Sequence, residues 1–304
     1  MSLAIKKGPQ IRAIRCVIYG PEGIGKSTLA SCFPDAVFID FEHGTDSMDV
    51  ARFDVPDTYQ GLIDLLNSIA QGDCCKTVVL DTADKLEQIM TKYVCDTKDI
   101  KSIEDAGYGK GYTYLAEEWI NLMKVCDKII DSGKNIVFVA HAQMRKFEQP
   151  DEMGAYDRWE LKLSKKTAPL LKEWSDMLLF CNYKTNVVED PKTKSKKAVG
   201  GKRVMYTTHS PVYDAKNRFG LPDVMEMDFS EISSIFKSPE EQKADTIRQL
   251  RETFKEANIA EDDVMAFLES KGQTDGVSLE EVPLRVLQFV KTNSEKIINK
   301  LKEE

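Results

Sequence analysis

Gly20-Pro21-Glu22-Gly23-Ile24-Gly25-Lys26-Ser27 is the stretch of this chain whose residue types and spacing most clearly do chemistry. It satisfies G-x-x-x-x-G-K-[ST], the pattern of a phosphate-binding loop. Gly20 and Gly25 let the backbone turn tightly, so that successive N–H groups point inward at phosphate oxygens. Lys26 reaches the terminal phosphates, and the Ser27 hydroxyl is suited to ligate Mg²⁺. With Thr28 added, residues 20–28 form the candidate nucleotide-binding set. Three further groups stand where strands are expected to end. Asp81 closes the apolar run Thr77 to Leu80, and an acid there can hold the Mg²⁺ shell through water. Asp40 and Glu42 end another run and share a face by alternation. His141 follows Ile136 to Ala140, where a polar group can touch a terminal phosphate or an attacking water; Gln143 is a weaker candidate.

The elements needed to position these groups are legible. Ile14 to Tyr19 is an apolar run that reads as the strand before the loop, and Ser27 to Phe33 as the helix after it. Ala36 to Asp40, Thr77 to Asp81 and Asn135 to Ala140 read as further buried strands. Gln60 to Ala70 carries Leu62, Leu65, Leu66 and Ile69 on one helical stripe. Further helices are expected over Asp84 to Thr97, Thr113 to Ser132 and Ala168 to Trp174. The expected fold class is α/β, a mostly parallel sheet flanked by helices, with ligands at the carboxyl ends of the strands.

Other stretches read as loops and tips. Gly107 to Tyr112 is a Gly/Tyr-rich loop, either a flexible connection or a surface that meets the nucleotide or a polymer. Arg145 to Lys166 mixes charges and aromatics and reads as a mobile, irregular, ligand-facing loop. Met177 to Thr208 reads as a β-hairpin with a strongly basic tip, where Lys192, Lys194, Lys196, Lys197 and Lys202 are candidate contacts to nucleic-acid phosphates. A solubilising turn is the competing account of that tip. Beyond Phe229 the texture becomes amphipathic-helical. Pro239 to Asn258, Glu261 to Ser270 and a last helix opened by the capping box Ser278-x-x-Glu281 make an expected three-helix module. The expected domains are therefore residues 1–236 and 237–304.

Composition excludes several classes. The 304 residues carry 42 basic and 50 acidic side chains, a net of −8, so no general basic coat exists. Residues 231–304 hold 11 basic and 16 acidic of these, leaving 31 and 34 before them, so the tail is the more acidic part. No apolar run approaches a membrane span, and the first ten residues lack a signal-peptide core. Seven cysteines form no C-x-x-C pair, which favours reduced, buried thiols and a cytoplasmic protein.

With these residues in view, segment 10–230 resembles the RecA-like ATPases. More narrowly it is similar to phage-encoded nucleotide-binding proteins of the single-strand annealing and recombination type. The narrower cues are the loop itself, Leu163-Ser164-Lys165-Lys166-Thr167-Ala168-Pro169-Leu170-Leu171, and Asn217-Arg218-Phe219-Gly220-Leu221-Pro222. The resemblance implies a RecA-like P-loop core, ATP and Mg²⁺, and hydrolysis of ATP. Phe38-Ile39-Asp40-Phe41-Glu42-His43 matches the family segment whose glutamate activates water, which makes Glu42 the implied general base. His141 stands where the family usually has Gln and is the implied sensor; Lys26 completes the catalytic set. A basic residue from a neighbouring subunit commonly completes such sites, so Lys165, Lys166 or Arg218 is the implied trans-acting group of a ring or short filament. Single-stranded DNA is the implied partner, with a single-strand-binding protein for the tail and host cytoplasm as the location. Two rivals share the loop: an ATP-switched scaffold without turnover, and a small-molecule kinase.

Overall fold

The computed structural model describes residues 12–148, 155–189, 196–237, 239–275 and 278–303. The parallel core consists of β1 (Arg15–Gly20), β2 (Ala36–Asp40), β3 (Ala51–Arg52), β4 (Thr77–Asp81), β5 (Asn135–Glu148) and the start of β7 (Met177–Glu189). β1, β2, β4 and the first half of β5 are almost wholly apolar because both faces are covered, the pattern a parallel sheet demands. Around them lie α1 (Lys26–Ser31), α2 (Tyr59–Gln71), α3 (Ala83–Lys98), α4 (Lys110–Asp131) and α5 (Thr167–Trp174). The antiparallel additions are β6 (Ala155–Leu161), β8 (Lys196–Tyr206), β9 (Lys216–Asn217) and β10 (Val224–Glu226). Sheet order is β10-β8-β7-β1-β5-β4-β2-β3, with β6 on β5 and β9 on β7.

Strand alternation sorts the core into two layers. Val17, Tyr19, Val78, Leu80, Ile136 and Phe138 face Leu62, Leu66, Leu86, Trp119 and Leu122 of α2, α3 and α4. The alternate residues Cys16 and Ile18 point to the other face, the side of α1. Trp119 is fully buried and lies 6.3 Å, ring to ring, from Phe138. The seven cysteines are free thiols, five of them buried.

Several expectations need correction here. Of Arg145 to Lys166, the described residues 145–148 and 155–161 are strand rather than irregular loop, and 149–154 lie outside the described residues. β5 runs on to Glu148 and pairs antiparallel with β6, with Ala142 opposite Leu161 and Arg145 opposite Arg158. The mixed charge reflects a two-stranded ribbon with solvent along much of its length, where polar residues are tolerated in strands. Helix α4 begins at Lys110, so the expected Gly/Tyr loop loses its last three residues to the helix. Within that helix position 111 must be glycine, because a Cβ there would meet the Ile103 carbonyl oxygen at 1.8 Å.

The chain divides into two compact units at Ile232/Ser233, four residues before the expected 236/237 boundary. The second unit has four α-helices among the described residues, where three were expected: α6 (Pro239–Glu256), α7 (Glu261–Ser270), α8 (Leu284–Thr292) and α9 (Ser294–Glu303). The Ser278–Glu281 pattern closes a turn through Glu281 N–H to the Ser278 carbonyl, and helix α8 starts only after Pro283. Proline disfavours helical geometry at the residue before it, which defers the helix. Leu250, Phe254, Val264, Leu268, Leu287 and Val290 form this unit's own core. Among the described residues, no helix is long and apolar enough to cross a membrane.

Candidate active site

Register places the candidate residues along one edge of the sheet. Gly20 stands beside His141, and Asp40 beside Asp81, at the carboxyl ends of parallel strands. The loop is shaped by two glycines in the left-handed region, Gly23 at φ +72 and Gly25 at φ +104. Gly20 is required for another reason. A Cβ there would sit 2.2 Å from the Cys181 carbonyl oxygen, because β7 passes directly behind the loop. Ile24 anchors the loop by complete burial, while Glu22, Gly23 and Thr28 are exposed.

Lys26 is buried within the loop, its Nζ donating to the Gly20 carbonyl at 3.2 Å and the Pro21 carbonyl at 2.9 Å. Burial lowers its pKa, and Asp81 nearby acts against that. Ser27 Oγ donates to Asp81 Oδ2 at 2.6 Å. Fifty-four residues apart in sequence, these two are brought together by β4 lying two strands from β1. Burial pushes the Asp81 carboxyl up to about 6, against the Ser27 hydrogen bond, and the Asp40 and Glu42 carboxylates add to the rise. An all-oxygen pair with anionic character suits a hard divalent cation.

Asp40 and Glu42 take separate roles rather than sharing one face. Strand β2 ends at Asp40, whose buried carboxylate accepts from the amides of Glu42, Gly44 and Thr45 and from the Thr45 hydroxyl. Burial opposes ionisation there, yet these donors hold its pKa below the usual value. Asp40 thus folds the loop that carries Glu42. Glu42 itself is exposed, and its Oε1 accepts from Thr82 Oγ1 at 3.3 Å.

His141 is held by a residue the sequence reading passed over. Asp84 is buried, accepts from the His141 amide at 3.0 Å and meets His141 Nδ1 at 3.0 Å. Despite burial its pKa is lowered by these contacts. Ligand atoms of Glu42, Asp84 and His141 lie within 4.8 Å of one another, so this trio can orient a water or hold a metal ion. His141 is not at a strand terminus, since β5 continues beyond it. Gln143 is turned to the Leu161 carbonyl at 3.0 Å and braces the β5–β6 ribbon.

The remaining candidates separate. Lys166 is exposed and bonds Thr113 Oγ1 at 2.6 Å, and Lys165 beside it is exposed. Both follow Ser164, whose amide is held by the half-buried Glu87, one turn along α3 from Asp84. Arg218 lies elsewhere. Its guanidinium pairs with Asp176 at 2.9 Å, beside the first residue of β1, roughly 15–20 Å along the strand from the loop. The buried Asp176 needs cations and takes Arg12 as well, which explains the placement. Lys202 forms an ion pair with Glu226. Lys196 and Lys197 open β8, while Lys192 and Lys194 lie outside the described residues.

Asp84, Thr82 and Glu87 had a local signal in the sequence. They fall within six residues of Asp81, on the start of the helix it leads into. Arg203 had none. It sits 179 residues from the loop, yet its Nη1 donates to the Ile24 carbonyl at 3.3 Å.

Three comparisons bear on this geometry. A protein from Bacillus subtilis strain 168, described as an SPbeta prophage-derived uncharacterized protein, is 23% identical over 145 residues. That match covers 45% of this chain and 43% of the relative, so the chain spans less than half of that protein's length. A KaiC-like protein from the archaeon Pyrococcus horikoshii OT3 is structurally similar at a TM-score of 0.38 and 10% identity, covering 64% of this chain and 79% of that one. A family model described as an AAA domain matches residues 12–219. Its match holds the loop, the Asp81 strand and the whole parallel sheet. The chain belongs to this AAA domain family, and its first unit is an α/β P-loop domain with a mostly parallel sheet flanked by helices.

Proposed function

We propose that this protein hydrolyses ATP, with Mg²⁺, while acting on single-stranded DNA in phage recombination or strand annealing. The observation that carries the ATPase part is the meeting of Ser27 and Asp81 at 2.6 Å beneath the loop, with Glu42, Asp84 and His141 next to them. Backbone N–H groups of residues 22–27 and the Lys26 ammonium hold the phosphates. Ser27 and Asp81 fit Mg²⁺ as oxygen ligands, and the bound ion supplies neutralisation of phosphate charge. Glu42 is exposed at the strand edge and takes the proton of an attacking water. His141, its Nδ1 fixed on Asp84, keeps Nε2 for contact with the terminal phosphate.

The DNA part rests on different features. Tyr108 projects fully into solvent between Gly107 and Gly109, all three at positive φ. Lys166, reaching Gly109 and Thr113, stands beside it. An exposed ring among cations is the chemistry that stacks bases and tracks a phosphate backbone. The prophage origin of the Bacillus relative accords with a phage context. Lys165 and Lys166, both exposed, are the cations offered to a neighbouring subunit in a ring or short filament. A single-strand-binding protein is the proposed partner of residues 233–304.

The test is ATP turnover with and without single-stranded DNA for wild type and Glu42→Gln. The expected result is DNA-stimulated turnover that falls about 100-fold or more in the variant while ATP binding persists. Turnover indifferent to DNA removes the nucleic-acid part. Binding without turnover in the wild type removes the hydrolytic part.

A further inference from the structure

The loop is approached from two sides, and the groups described above occupy one of them. Asp81, Glu42, Asp84 and His141 belong to β4, β5 and the segments leading from β2 and β4, on one side of β1. A nucleotide lying across the loop with its terminal phosphate toward these groups directs its ribose and base toward β7 and β8. There the structure holds Arg203 and Tyr183.

Three observations join these two residues to the loop. They are directly opposite in the β7–β8 ladder, before its register shift at Lys184/Thr185, so their side chains share a face. That face is the loop's: two residues earlier on β7, Cys181 lies against Gly20, and a Cβ on Gly20 would approach Cys181 Cβ to 3.3 Å. Arg203 extends along this face until Nη1 meets the Ile24 carbonyl, 2.7 Å from where a Cβ on Gly25 would stand. Loop amides that converge on phosphate leave their carbonyls outside, so Arg203 grips the loop from the side away from the phosphates. Tyr183, opposite it in the ladder, is 42% exposed.

The geometry points to Tyr183 and Arg203 as the base-side subsite of the nucleotide: the phenol ring and the guanidinium plane stack on the purine, and Arg203 ties that platform to the loop. Planar cations and aromatic rings both stack on bases without reading their hydrogen-bonding edges. The subsite therefore favours purines by ring area and binds ATP and ADP alike. It deepens the nucleotide reading above and rests on it.

The test is calorimetric titration of the full chain with ATP, ADP and inorganic tripolyphosphate, each with Mg²⁺. Tyr183→Ala and Arg203→Ala are expected to weaken ATP and ADP by a similar factor, about tenfold each. Tripolyphosphate, which has no base, is expected to bind both variants as it binds wild type. Tyr183→Phe, which keeps the ring, is expected to match wild type for all three ligands. Unchanged ADP affinity in both alanine variants overturns the subsite. Equal loss of tripolyphosphate in Arg203→Ala also overturns it, making Arg203 a phosphate ligand or a brace for loop shape. Failure of wild type to bind ATP or ADP removes the nucleotide reading itself.

Discussion

The buried Asp81 carboxylate costs the ligand-free protein stability, and Asp81→Asn should recover it in a pH-dependent way. Asp81 is only 5% exposed, and burial raises its pKa from 3.8 to about 6. The folded chain therefore holds this proton more tightly than the unfolded chain. The group's favourable contribution is fully present below about pH 4 and is lost as pH rises through about 6. At 1.36 kcal/mol per pH unit, the difference between 3.8 and about 6 amounts to about 3 kcal/mol at pH 8. Asparagine keeps an oxygen for the Ser27 hydroxyl and carries no charge at any pH. The assay is urea unfolding in EDTA at several pH values, followed by tryptophan fluorescence; Trp119, Trp159 and Trp174 all lie in the first unit, so the signal reports on that unit. Asp81→Asn is expected to match wild type near pH 4 and to exceed it by up to about 3 kcal/mol at pH 8. With Mg²⁺ and ATP added, wild type alone should regain that margin. A stability difference that stays constant across this pH range would refute the argument.

Three further outcomes follow from particular contacts. Gly20→Ala drives a methyl into the Cys181 carbonyl and should destabilise the first unit by about 1–3 kcal/mol in the same unfolding assay, with weakened ATP binding. Asp84→Asn loosens His141, and turnover should fall by roughly tenfold or more while the Kd for ATP holds; equal turnover would leave Asp84 a purely structural acid. Residues 233–304 have a core of their own and, expressed alone, should give helical circular dichroism and a cooperative melt; a featureless melt would mean that core does not suffice.

What could be read from sequence divides along a physical line. The phosphate loop was legible because its chemistry is local: glycine freedom, one ammonium and one hydroxyl within eight residues. Asp81 was legible because an apolar run of strand length ends in it, and Glu42 because Phe38 to His43 resembles a family segment. The ribbon of β5 and β6 was not, since its residues alternate imperfectly and keep polar side chains in solvent, so the composition resembles a loop. Arg218, expected as a trans-acting cation, has a partner within its own chain. Its turn matched an expected pattern, but a buried carboxylate at the far end of β1 claims its charge, and burial of Asp176 cannot be seen in a linear pattern. Arg203 was invisible for the converse reason: only strand register brings it to Ile24.

The same register accounts for a constraint that the loop motif leaves unexplained. Gly20 and Gly25 are usually justified by the phosphate, which needs the backbone close. Here each is also closed off from the protein side, Gly20 by Cys181 of β7 and Gly25 by Arg203 of β8. Both contacts come from the hairpin on the side of β1 opposite to Asp81. Backbone contact from β7 therefore helps fix the loop's shape at Gly20, while the acids and His141 on the other strands stand where its bound phosphates are to react. A substitution that shifts β7 against β1 should then weaken phosphate binding with every catalytic side chain intact, whereas one confined to β4 or β5 should spare it. Steric fixing on one side and chemistry on the other is what lets a flexible, glycine-built loop present a preorganised cradle.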